Sequence, residues 1–196
     1  MSHKRSAALE KWRTDRAAAL DSLVAVHEKV AVDRRGRRYA TEQLNRALFV
    51  ALAGEFQGHC RDLHDDMVLL YADGLGPATD PRVISARSAM IRGRRLSTGN
   101  ANPSALGNDF KYFGMDFWSS MKAAYPGKNN DWNRLLERLN ETRNAIAHRD
   151  DIKMATLQDP LTLATFKRWR STLNTITVGI DKVVAAYLQE TIGKSW

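Results

Sequence analysis

Apolar residues recur at three- and four-residue steps along most of this chain, the spacing that places side chains on one face of an α-helix. Leu9, Trp12, Leu20, Leu23, Val26 and Val30 mark a first helix over residues 5–32. The run Arg34-Arg35-Gly36-Arg37-Arg38 interrupts the pattern. Thr41 then offers an N-cap for a second helix that carries Leu44, Leu48, Ala51, Leu52, Phe56 and Leu63 as far as Tyr71, although a start a few residues earlier fits equally well. From Asp73 to Asn102 the periodicity fades. Gly74, Gly76, Pro77, Pro81, Gly93 and Gly99 punctuate this stretch, leaving room for at most a short helix over 83–91. A connection of that length inside a compact domain is usually functional or mobile.

Helical spacing returns over residues 104–124, with Gly114 as a break between two short helices and Pro126-Gly127 closing the segment. Asn130 or Asp131 is placed to cap a helix over 131–149 with Leu135, Leu139 and Ile146 on its stripe. Asp159-Pro160 reads as the N-cap and first turn of a last long helix through Leu163, Phe166, Leu173, Ile176, Ile180, Val183 and Tyr187. No alternating strand pattern competes with these, and no repeat is visible. The expectation is an all-α, up-and-down helical bundle, a single domain over 1–196 with a long basic loop at about 73–103.

Composition narrows the class without naming a function. The 196 residues, 43% hydrophobic and 27% charged, suit one soluble globular domain. Cys60 is the only cysteine, which excludes an internal disulfide and a Cys-rich zinc site and reads as a small buried apolar residue. The start of the chain lacks the apolar core of a signal peptide, and no apolar run approaches the roughly 20 residues of a membrane span. A cytoplasmic protein with no membrane partner is expected. Charge changes the picture more: 30 Lys and Arg against 22 Asp and Glu give +8. Residues 81–108 hold Arg82, Arg87, Arg92, Arg94 and Arg95 with no acid, so they supply five of those charges. Such segments are either solvated loops or a track for a polyanion backbone.

Two polar residues fall where the second helix wants apolar ones. On a helical wheel Glu55 and His59 lie among Leu44, Leu48 and Leu52, so Glu55 needs a cationic or hydrogen-bonding partner. Arg143, at the shoulder of the 131–149 stripe, is the candidate. A Glu55–Arg143 tie between helices, with His59 nearby as a satisfied core histidine, is one reading; the other adds that the tie holds Arg143 for a phosphate. His27, His59 and His64 show no ligand spacing with carboxylates, Asp65-Asp66 reads as a solvated face, and neither metal nor cofactor is expected. Of Trp12, Trp118, Trp132, Trp169 and Trp196, the first four read as core or interface residues and the last as loose.

The segment Arg143-Asn144-Ala145-Ile146-Ala147-His148 resembles the signature of the HEPN superfamily, an arginine followed by a polar residue and a histidine five positions on. The fuller string Leu135-Leu136-x-x-Leu139-x-x-x-Arg143-Asn144-x-Ile146-Ala147-His148 looks like the motif helix of prokaryotic HEPN proteins of the RiboL-PSP type. Tyr112-Phe113-Gly114-Met115-Asp116 is similar to the Phe-Gly element that often precedes it, and Glu55-Phe56 to the helix packed beneath. The resemblance implies a homodimer that brings two motifs to one cleft, in a family with many metal-independent endoribonucleases, often toxins or antiviral effectors, and some purely binding members. It implies His148 as base or acid, Arg143 as stabiliser of the phosphorane and Asn144 as the orienting residue. Glu55 and His59 would support them, and Arg87, Arg92, Arg94 and Arg95 would hold the RNA backbone. Besides RNA and a second copy, an antitoxin or partner protein is an expected partner. Where one branch of the family carries a modified tyrosine, two residues past the histidine, this chain has Asp150.

Overall fold

The computed structural model describes residues 4–32 and 37–196, so Arg34, Arg35 and Gly36 lie outside the described residues. No strand occurs among the described residues, and helix accounts for 79% of the structure. Helix α1 (Ala7–Lys11) passes through a π-helical turn (Trp12–Arg16) into α2 (Ala17–Val32). There follow α3 (Arg37–Asp73), α4 (Pro81–Arg92), α5 (Pro103–Phe110), α6 (Phe117–Ala124), α7 (Asn129–Ala147), α8 (Asp151–Ala155) and α9 (Leu163–Ile192).

The 37-residue α3 is the axis of the fold, packed against α1, α2, α4, α7 and α9. Its buried side chains Phe49, Leu52, Phe56, Cys60, Leu63, Met67 and Val68 cover much more than one stripe, as befits a helix surrounded on several sides. Counting Phe49, Phe56 and Met67 turns the centre of its buried arc by about 90° from the Leu44 side. Glu55 therefore lies on the flank of α3, 28% exposed, rather than in mid-face. Its partner is not Arg143 but Arg16, whose Nη1 donates to Glu55 at 2.6 Å while Nη2 donates to Asp62 at 2.7 Å. Burial alone opposes ionisation of Asp62, yet hydrogen bonds from Arg16 and Lys11 outweigh it and hold the carboxyl below its ordinary value.

His59 is fully buried as expected, but beneath α1: Nδ1 lies 3.2 Å from the Ala8 carbonyl and the ring packs against Trp12 and Phe56. Its Nε2 has no hydrogen-bond partner among the described residues. The two ends of the described chain meet on α9. Buried Asp181 accepts hydrogen bonds from the Ser6 backbone N–H (3.3 Å), the Ser6 hydroxyl and the Trp196 indole N–H (3.2 Å). Trp196 is thus half-buried and anchored, not loose. Asp66 is also tied rather than merely solvated, accepting from Ala8 N–H at 2.9 Å.

The stretch 73–103 is not one long loop: the short helix expected over 83–91 is present and longer, as α4, with turns on either side. Asp80 accepts from Arg82 N–H at 2.8 Å as the N-cap of α4, Pro81 occupies the first turn, and Val83 is buried. After Gly93 the chain forms a 3₁₀ turn (Arg95–Ser97) whose Leu96 is fully buried. The buried Asp109 carboxylate accepts the N–H groups of Arg95 (2.7 Å) and Leu96 (2.8 Å), and Gln57 of α3 donates to the Leu96 carbonyl (3.0 Å). The glycines and prolines that hid this order from the periodicity serve as caps and turns between short packed pieces.

Other boundaries shift for similar local reasons. Gly114, at φ 77°, ends a 3₁₀ turn after α5 and separates it from α6, as its position implies. Helix α7 starts at Asn129 after Lys128, without a side-chain cap. The N-cap of α9 is Thr162, accepting from Thr165 N–H, three residues later than the Asp159-Pro160 pair indicates. Asp159 is engaged instead by Arg138 (3.2 Å) and Arg168 (2.5 Å).

Candidate functional site

Helix α7 buries Trp132, Leu136, Leu139, Thr142 and Ala145. That face leaves Arg143 and Asn144 half-buried on its border and carries the chain out to solvent at His148, the first residue past the helix. The helix closes with Asp150 N–H donating to the Ala145 carbonyl (3.0 Å) and Arg149 N–H to the Ile146 carbonyl (3.2 Å). This closure is the Schellman pattern, which puts a residue in the left-handed region, usually glycine. Here it is Arg149, at φ 51°, the one non-glycine with positive φ among the described residues. A side chain in that conformation costs roughly 1 kcal/mol, and it leaves both Arg149 and His148 exposed at the tip.

Arg143 and Asn144 come together: Arg143 Nη1 donates to Asn144 Oδ1 at 3.0 Å. The same oxygen accepts from Asn100 Nδ2 at 2.8 Å, so a residue from the end of the 73–103 stretch holds the Asn144 amide. One turn earlier, Asn140 donates to the Ala101 carbonyl at 3.1 Å and to the Leu136 carbonyl at 2.7 Å. Arg143 has no carboxylate partner among the described residues, so most of its N–H groups are open to an anion. His148 makes no side-chain hydrogen bond within the chain to any described residue, and the structure does not bring it to Arg143. Glu55 is bonded to Arg16 of the π-helical turn and His59 lies beneath Ala8 of α1, so neither is bonded to the motif.

The four arginines expected to hold a backbone divide into two kinds. Arg87 is bonded to Asp73, and Arg94 donates to Asp65 (2.5 Å), to Ser97 Oγ (2.7 Å) and to the Arg61 carbonyl (3.3 Å), fastening α4 and its following turn to α3. Arg92 and Arg95 are exposed, with no side-chain partner among the described residues. At 1.5 Å per residue of α3, Arg87 at Asp73 sits roughly 24 Å along the axis from Gln57, which binds the Gly99 carbonyl beside Asn100. Only the end of the stretch therefore borders the motif.

Asn144 and Glu141 form a ridge between two depressions. One, of about 370 Å³, is walled by α7, the end of α8, residues 156–159 and Trp169 of α9. The other, a more open groove of about 410 Å³, runs past Asn102, Ser104, Glu137 and Asn140. Asn100, Glu141 and this pair of hollows carry no signal in the sequence beyond the amide side chains at 100, 102, 140 and 144. Among the described residues no group of three His, Cys, Asp and Glu side chains is placed to hold a metal ion. No described helix is long and apolar enough to cross a membrane. Compared with models of protein families, with curated proteins and with solved structures, the chain matches none.

Proposed function

We propose that the protein is a metal-independent endoribonuclease of HEPN type, working as a homodimer whose two α7 tips share one cleft, in a toxin or defence setting. The observation that carries this reading is the un-neutralised Arg143 guanidinium beside an Asn144 fixed by Asn100, with His148 exposed one turn on. A guanidinium without a carboxylate is a receptor for a phosphate. In the reaction one His148 takes the proton of an RNA 2′-hydroxyl, the 2′-oxygen bonds to the adjacent phosphorus, and the bond to the 5′-oxygen breaks as that oxygen receives a proton from the imidazolium of the other copy's His148. The products are a 2′,3′-cyclic phosphate and a 5′-hydroxyl. Arg143 stabilises the charge on the phosphorane and Asn144 orients the phosphate. Arg143 and His148 lie about 140° apart on an ideal helix, so the His148 that meets a given Arg143 comes from the second copy.

The separation of His148 from Arg143 within one chain also favours a second reading, a HEPN-type helical module that binds nucleic acid or a protein partner without cutting it. Incubating the purified protein with RNA in EDTA separates the two. Cleavage to cyclic phosphate ends, abolished in His148→Ala while helix content and melting temperature stay unchanged, is the expected result. Intact RNA bound by the concentrated protein would leave the binding reading standing and the nuclease reading refuted.

A further inference from the structure

We propose that the 370 Å³ hollow beside Asn144 is a guanine-binding subsite, with the Glu141 carboxylate as its reader; this rests on the α7 tip acting on RNA. The hollow's polar groups fall into two sets. Asp159 is pinned between Arg138 and Arg168, the Thr156 hydroxyl donates to the Lys153 carbonyl, and Lys153 pairs with Asp150. These interactions make a framed wall. By contrast the Glu141 carboxylate, the Thr142 hydroxyl, the Gln158 amide and the Trp169 indole N–H, all on residues that line the hollow, have no hydrogen-bond partner among the described residues. These unengaged groups belong to residues that line one cavity walled in part by an aromatic ring, and Glu141 borders the second groove as well. The volume suits a nucleoside, and Asn144, which we place at the phosphate, lines the same hollow.

The choice of base follows from the groups available. Glu141 offers two acceptor oxygens and no donor. Of the four RNA bases only guanine presents two adjacent N–H donors, N1–H and the N2 amine, which match a carboxylate in bidentate fashion. Adenine and cytosine set a ring-nitrogen acceptor beside their amine, and uracil flanks its single N–H with carbonyls, so each would press a lone pair against Glu141. The Gln158 amide and the Trp169 N–H supply donors for guanine O6 and N7. Single-stranded RNA, whose unpaired bases can be splayed into pockets, is the form this site takes.

Calorimetric titration of the full chain with guanosine, adenosine, cytidine and uridine 5′-monophosphates tests the subsite without requiring cleavage. Guanosine monophosphate should bind roughly tenfold or more tightly than the other three, and Glu141→Gln should remove that margin. Equal binding of the four, absence of binding up to millimolar nucleotide, or an unchanged preference in Glu141→Gln would each overturn the proposal. Sequencing of RNA ends separates it from the parent reading. Cleavage with no guanine bias would leave the nuclease and refute the subsite, whereas guanine-selective binding without cleavage would leave the subsite and refute the nuclease.

Discussion

Gly54 and Gly58 stand one turn apart on α3, and their surroundings decide opposite outcomes for the same substitution. A Cβ at Gly54 meets nothing within 4 Å. Gly54→Ala should therefore stabilise the protein by about 1 kcal/mol, the helix-propensity difference alone. A Cβ at Gly58 would lie 2.3 Å from Arg16 Nη1 and 2.7 Å from its Cζ. Gly58→Ala must push the guanidinium off Glu55 and Asp62, and its loss should exceed the propensity gain. Thermal melts that rise for Gly54→Ala and fall for Gly58→Ala are expected; a rise in both would mean that the Arg16 tie contributes little. At the same scale, burial holds the His59 ring, and burial with the nearby Arg94 charge holds His64, at a pKa of about 4 against an ordinary 6.5. Each favours the neutral form when folded, so their stabilising share is complete above pH 6.5 and is lost as pH falls from 6.5 towards 4. Within that window each histidine steepens the loss by up to about 1.4 kcal/mol per pH unit. Asp66 works the other way near the bottom of the window, since burial raises its carboxyl and protonation relieves it. Urea midpoints measured from pH 7 to pH 4 should fall, and His64→Phe should flatten the slope.

Among the elements, α4 and α9 show how short sequence signals become packing. Helix α9 keeps Gly179 where Trp132 of α7 lies against it: a Cβ there would come within 2.9 Å of the indole. Trp132 is buried, with the Tyr125 ring tilted against it at 4.9 Å between centroids, so it has little room to retreat. Gly179→Ala should destabilise by about 1–3 kcal/mol through overpacking, despite the better helix propensity of alanine, and a denaturant midpoint equal to that of the parent would contradict this contact. Helix α4 is attached by two ties, Asp73–Arg87 and Asp65–Arg94, with Leu96 buried beyond them. Part of its attachment is ionic rather than apolar, a contact that helical periodicity does not register. The length of α3 and α9 was legible because their apolar residues recur without interruption; the starts of α7 and α9 were not, since Lys128 caps with no side chain and Thr162 outcompetes Asp159, which two arginines occupy.

Over the whole molecule the +8 charge is not one feature but two. Some arginines are internal fasteners and others are free cations, and salt distinguishes them. Replacing the exposed Arg92 and Arg95 with alanine should leave the melting temperature unchanged and lower the salt dependence of RNA binding by roughly one unit of slope each. Arg94→Ala should lower the melting temperature by several degrees, because it leaves three acceptors around Asp65 and the 3₁₀ turn without their donor. Equal effects of the two kinds of substitution on stability would refute the division.

The pattern of apolar residues by itself determined an all-helical molecule, the long helices and the break at Gly114, because burial of a continuous stripe needs only local spacing. Arg143, Asn144 and His148 could be read together because they lie within six residues at the end of one helix. Tertiary structure alone decided their company. Glu55 turned to Arg16 because α3 is enclosed on several sides and its buried arc centres away from the Leu44 face that a single stripe suggests. Asn100 reached Asn144 because Gln57, Asn140 and Asp109 hold the 95–101 backbone against α3 and α7. Such pairings depend on long-range contacts between residues 30 to 45 apart, for which helical periodicity carries no information.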